Sequence, residues 1–221
     1  LFRSNLSEPD TLLMVLTFVF SVVAQLFVAG LIPAYMAEYE TKGKDGFQAD
    51  DVWQRFAGYF AGIAGYGILS SLIVIVGFLV LFFPGVYLSV PMAFVLYVLV
   101  IEDRKGKSLF KRSFGLVRNQ WWKTFGIILL AYLILAIVAG LFSLPSVIVG
   151  AVEGFLVGSG QKESMEPNSL AIILTTIFSG LGQYLLYAGL YVVVAFQYYS
   201  LREQKDGDRL MEKVSAIKED E

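Results

Sequence analysis

The side chains that could do chemistry in this chain are few, and most are badly placed for it. There is no His and no Cys. That removes the commonest general base, the commonest metal ligands and any thiol nucleophile or disulfide. No His-Glu-x-x-His pair, nucleophile elbow or phosphate-binding loop occurs. A Ser-Lys pair is formally possible, but every Lys lies in a polar loop or tail, far from the serines of the apolar runs. The expectation is no catalytic residue, no metal site, no cofactor and no enzyme activity.

Two groups of polar residues could instead bind something. Lys107, Lys111, Arg112 and Arg118, followed by Trp121 and Trp122, put a basic edge beside interfacial aromatics. That chemistry suits anionic lipid head groups or a partner protein. Gln183, Gln25 and Glu153 lie in otherwise apolar stretches, where a polar group needs a partner or marks a site. Gly180 and Gly182 beside Gln183 could open a helix there and expose its backbone. Paired glutamines joining helices and an interfacial Glu153 facing water are the simpler expectations.

The elements that carry these residues follow from composition. Of 221 residues, 57% are hydrophobic and only 16% charged, and the net charge is -2. A soluble domain has about a quarter charged residues, so a soluble globule, a disordered chain and a nucleic-acid binder are excluded. A bilayer core of ~30 Å needs about 20 apolar residues in a helix. Five runs qualify: 11–37, 58–83, 86–101, 124–142 and 169–199. The expected fold is all-α, a polytopic transmembrane helical bundle over residues 1–201 with a charged tail over 202–221. The chain opens at Leu1 without an initiator Met, so it is expected to be a segment of a longer protein.

Charge sets the orientation. Fifteen of the 17 basic residues fall in the loops and tail of one side, leaving Arg3 and Lys162 on the other. By the positive-inside rule that side, with the C-terminus, is cytoplasmic. Pro84-Gly85 marks a turn between the second and third spans. The apolar stretch from Ser143 to Gly158, which carries Glu153, is too short to span and is expected as an interfacial or re-entrant helix.

Two cytoplasmic stretches are amphipathic. Ala49, Val52, Trp53, Phe56 and Phe60 fall at helical spacing behind Asp50 and Asp51, and Phe110, Phe114, Val117 and Trp121 make a second stripe behind Ser108. Both are expected to lie in the interfacial plane. Gly58, Gly62, Ala61, Gly65 and Gly67 allow close helix packing in the second span.

The stretch from Val100 to Gly126, with Glu102, Gly106, Arg112, Ser113, Leu116, Trp122 and Gly126 at its marked positions, resembles a motif of bacterial polytopic inner-membrane proteins. That family includes the membrane domain attached to glycerophosphoryl diester phosphodiesterases. The Pro84-Gly85 turn and the segment from Gln197 to Glu203 are similar to it as well. The resemblance implies a helical bundle in a bacterial inner membrane, with a sixth span, but no reaction. The expected function is a non-enzymatic scaffold or assembly subunit that meets anionic lipid, other membrane proteins or a second copy. The alternatives are a small transporter or channel component, or a lipid-handling module serving a separate hydrolase.

Overall fold

Long uncharged runs can satisfy their backbone in hydrocarbon only as helices or closed barrels, and the described residues are nearly all helical. A computed structural model describes residues 8–160 and 169–219. It contains α1 (Glu8–Lys42), α2 (Ala49–Val80), α3 (Phe82–Met92), α4 (Val95–Glu102), α5 (Gly106–Val117), α6 (Trp121–Gly158) and α7 (Ser169–Glu219), with no strand among the described residues. Among the described residues, five segments are long and apolar enough to cross a membrane: Val15–Lys42, Ala49–Val80, Phe82–Glu102, Trp121–Gly158 and Ile173–Gly207. They match the five runs expected.

The chain forms two compact units. One comprises Leu1–Trp121 and Ala195–Glu221, and the other Trp122–Val194. In the first unit α1 and α2 run antiparallel, with Gly30 against Ile63, Glu38 on Arg55 and Lys42 on Asp51 in sequence down the pair. A capping box at Gln48 and Asp51 starts α2. A single extended residue, Leu81, separates α2 from α3. Pro84 falls in the first turn of α3, where a missing N–H costs nothing. The hairpin closes tightly because Gly77 and Gly85 meet: a Cβ on Gly77 would lie 3.0 Å from the Gly85 Cα.

The third span is the core of this unit. Of its apolar window 56% is buried, against 11% for each of the first two spans. Phe94, Val95, Tyr97, Val98, Leu99 and Val100 are fully enclosed. It is broken at Ala93 and Phe94 into α3 and α4. Pro91 accounts for the break: it has no N–H to give the carbonyl of Tyr87. The Trp121 indole N–H supplies that bond instead, at 3.1 Å, with its ring stacked on Tyr87.

The second unit is an antiparallel helical hairpin. Along α6 from Ser146 to Leu135, the partners on α7 advance from Thr175 and Ser179 through Phe178 and Gly182 to Gly189. Gly182 lets the backbones approach, since a Cβ there would fall 2.5 Å from that of Phe142.

Several expectations are corrected. Residues 49–60 are the start of the continuous α2, not a separate interfacial helix, because their apolar positions pack on α1 through Phe27. The stretch from Ser143 to Gly158 is likewise the end of the unbroken α6. Its apolar residues continue the helix without a stop signal, and Pro145 alone does not end it. Gly180 and Gly182 do not open α7, which runs through both without a break and continues past residue 202. The amphipathic α5 exists, but its buried face is Leu109, Ser113, Leu116 and Val117. That is one residue, or about 100°, away from the aromatic stripe of Phe110 and Phe114. The compact Leu side chains fill the space against α3 and α4, and the bulkier rings lie at the margin.

Candidate functional site

The charged residues of the first unit converge at one end of its helices. Glu102, at the C-terminus of α4, has a side chain only 9% exposed. Its carboxylate accepts from Arg112 Nε at 2.9 and 3.0 Å, and from the Tyr198 hydroxyl at 2.9 Å. Arg104 Nε lies 2.8 Å away. Arg112 also reaches Asp206 at 3.3 Å, and Arg202 joins Asp206 to Glu40, which accepts from the Tyr199 hydroxyl. This one network ties α1, α4, α5 and α7 together. Burial pulls the Arg112 guanidinium down, but Glu102 and then Asp206 outweigh it and hold Arg112 above its usual value.

Beside this network the buried Glu38 on α1 pairs with Arg55 at 2.5 Å and with Lys42 at 3.0 Å. Lys42 in turn reaches Asp51 at 2.7 Å. An open cleft of about 540 Å³ lies here, lined by Glu38, Lys42, Asp51, Gln54, Arg55, Gly58, Tyr59, Asp103 and Lys105. Its rim is the turn between α4 and α5, where Asp103 takes the left-handed conformation (φ 48) and Gly106 does so too (φ 60). The Gly106 N–H donates to the Tyr66 hydroxyl at 2.8 Å, which pins the turn to α2.

The residues singled out in the sequence fare unequally. Lys107 and Lys111 on α5 and Arg118 just after it are exposed, as a head-group contact requires. Arg112 is not available for that: its side chain is 8% exposed and faces Glu102. Trp121 is occupied by Tyr87, while Trp122 is 78% exposed. Gln183 and Glu153 are apart within the second unit. Gln25 is half-buried in the first unit, whereas Gln183 and Glu153 belong to the second. There Gln183 is exposed, next to the level of Phe142. Glu153 lies eleven residues further along α6, about 16 Å of helix away. Neither the polar cleft nor an apolar groove at Val76, Gly77 and Pro84 touches Gln183.

Sequence reading missed Glu38, Asp103, Tyr198 and Asp206 as working residues. A signal existed: Glu38 and Glu102 are each the first charge after a long uncharged run, where a lone carboxylate at the hydrocarbon edge requires a partner. Fourteen of the nineteen acids also share the loops and tail that hold the fifteen bases. That near balance points to pairing.

With this geometry in place, the comparisons place the chain in a family without assigning it a role. The family model described as a domain of unknown function, DUF7847, matches residues 10–201, and the chain belongs to that family. No curated protein and no solved structure matches it.

Proposed function

We propose that this member of the family is a non-catalytic multi-pass membrane protein that serves as a scaffold or assembly subunit, set in a bacterial inner membrane with its charged end cytoplasmic. One observation carries the reading. The ionisable groups that gather at the end of the first unit neutralise each other and hold helices together. Arg112 is committed to Glu102 and Asp206, Arg55 to Glu38, and Arg202 to Glu40. An active centre instead needs a base, nucleophile or acid held ready for substrate.

Around that clamp the chain offers surfaces for association. Lys107, Lys111 and Arg118 form an exposed basic set in the first unit, suited to anionic head groups or to another membrane protein, and Trp122 is exposed in the second. The gathering of basic residues in one set of loops supports a cytoplasmic assignment for that end. The exposed setting of Gln183 weighs against a transport pathway through it. The resemblance to the membrane domain of glycerophosphoryl diester phosphodiesterases supports, as the second reading, a lipid-handling module working beside a separate hydrolase.

The test combines two measurements on the full chain. Replacing Lys107, Lys111 and Arg118 with Gln should lower co-flotation with anionic vesicles and leave neutral vesicles unaffected. Chemical cross-linking in native membranes, read by mass spectrometry, should recover a protein partner in fixed ratio. A purified chain that carries a solute across vesicles, or turns over a substrate, would reject the scaffold reading.

A further inference from the structure

Three helices of the first unit meet their first charge at one level. α1 is uncharged from Thr11 to Ala37 and then has Glu38; α2 is uncharged from Phe56 to Val80, just after Arg55; α4 is uncharged until Glu102, with Asp103 following. The uncharged run of α2 is about 37 Å long, against ~30 Å of hydrocarbon. The ion pair of Glu38 and Arg55 therefore marks the plane of the lipid head groups. The polar cleft of about 540 Å³ opens at that plane, within the size range of small-molecule sites.

The cleft walls carry three acids, Glu38, Asp51 and Asp103, and three bases, Lys42, Arg55 and Lys105. This balance favours neither a simple anion nor a metal cation. It suits a group with one charge of each sign, which can exchange ion pairs with the wall. The exchangeable pair is present: Lys105 and Asp103 are 3.5 Å apart with side chains 67% and 64% exposed, and such pairs hold weakly in water. Deeper in, the second carboxylate oxygen of Glu38 is buried and paired with Lys42 at 3.0 Å.

We propose that this cleft binds the phosphoethanolamine head group of a membrane phospholipid. The primary ammonium brings N–H donors for Asp103, and the phosphodiester accepts from Lys105 and Lys42. A trimethylammonium group has no N–H and is held by cages of several aromatic rings. The cleft offers Tyr59 alone, with Lys105 Nζ already 5.9 Å from the ring centroid. Asp103 fits the same account: it holds a carboxylate at a left-handed position that glycine would adopt without strain.

Native mass spectrometry of the detergent-released full chain, titrated with phosphatidylethanolamine, phosphatidylcholine and phosphatidylglycerol, tests this directly. The ethanolamine lipid should be retained about tenfold better than the other two, a preference of the size charge-assisted hydrogen bonds can give. Asp103→Gly should erase the preference while keeping the fold, because glycine suits that backbone. Lys105→Ala should weaken retention in the same direction. Soluble glycerophosphoethanolamine, without acyl chains, should compete only weakly. Equal retention of the three lipids, an undiminished preference in Asp103→Gly, or tight binding of the soluble head group would each overturn the proposal. None of these outcomes bears on the scaffold reading, which the exposed residues of α5 and the cross-linking test by themselves.

Discussion

The two compact units solve different problems with the same kind of helix. In the first, Phe56, Phe94, Tyr97, Leu109, Leu116 and Tyr198 are fully enclosed, and charged residues link four helices. In the second, the buried apolar residues among those described are Ala139, Leu186 and Val194, while Leu130, Leu133, Ile134, Ile137 and Leu141 are exposed. Lipid tails are as apolar as Leu, so burying Leu against Leu gains little in a bilayer. The hairpin of α6 and α7 is accordingly held by close backbone approach at Gly182 and by the Ser146 hydroxyl, which lies 2.8 Å from that of Ser179 and 3.3 Å from the Thr175 carbonyl. The first unit meets water at its charged end, and there ion pairs shielded by packing become useful.

The contrast can be broken most severely at Arg112. Arg112→Ala leaves Glu102 buried with Arg104 as its remaining close cation, and should cost about 3 kcal/mol, in the range for a broken buried pair. Thermal unfolding in detergent checks it. The expected result is loss of the first unit with the hairpin's helix content retained. Arg112→Met combined with Glu102→Leu should recover much of that loss. A cost near zero for Arg112→Ala would show that packing, and not charge, holds α5. Because Arg112 titrates above its usual value, the stability it adds is complete below that usual value and lost only as pH rises through the shifted one. Unfolding midpoints should therefore show no Arg112-dependent change between about pH 7 and 10.

In the second unit the sensitive position is small instead of charged. Gly182→Leu should cost about 1–3 kcal/mol, as overpacking does, by pushing α7 off Phe142 and Ala139. The chain has no Cys, so a pair introduced at Leu135 and Gly189 reports the separation cleanly. Undiminished cross-linking in Gly182→Leu would mean the hairpin does not depend on that contact. Smallest is Trp121→Phe, which keeps the ring on Tyr87 but removes the N–H to its carbonyl. About 1 kcal/mol is expected, the usual worth of a hydrogen bond. Pro91→Ala in the same background should restore it, since alanine brings the backbone N–H that proline lacks.

Much of the fold was legible in advance. Uncharged length alone located the five spans, and the turn between the second and third followed from Pro84 and Gly85, although the break itself falls at Leu81. Helix ends inside apolar sequence were not legible, because neither Pro145 nor the Gly180 and Gly182 pair stops a helix whose surroundings favour continuation. Of the site, the exposed Lys107, Lys111 and Arg118 could be picked by charge and position. The inward turn of Arg112 could not, since its helix places it among the same basic residues and only Glu102, ten positions earlier, draws it in.

Taken alone, the order of residues determined how many times the chain can cross a membrane and which loops gather the basic side chains, because hydrocarbon admits no unpaired backbone and few charges. Tertiary structure decided which charges face water and which are buried in pairs. That choice depends on which helix ends come to lie together, and carboxylates and cations as far apart in sequence as Glu102 and Arg112, or Glu40 and Arg202, become neighbours only when the helices pack.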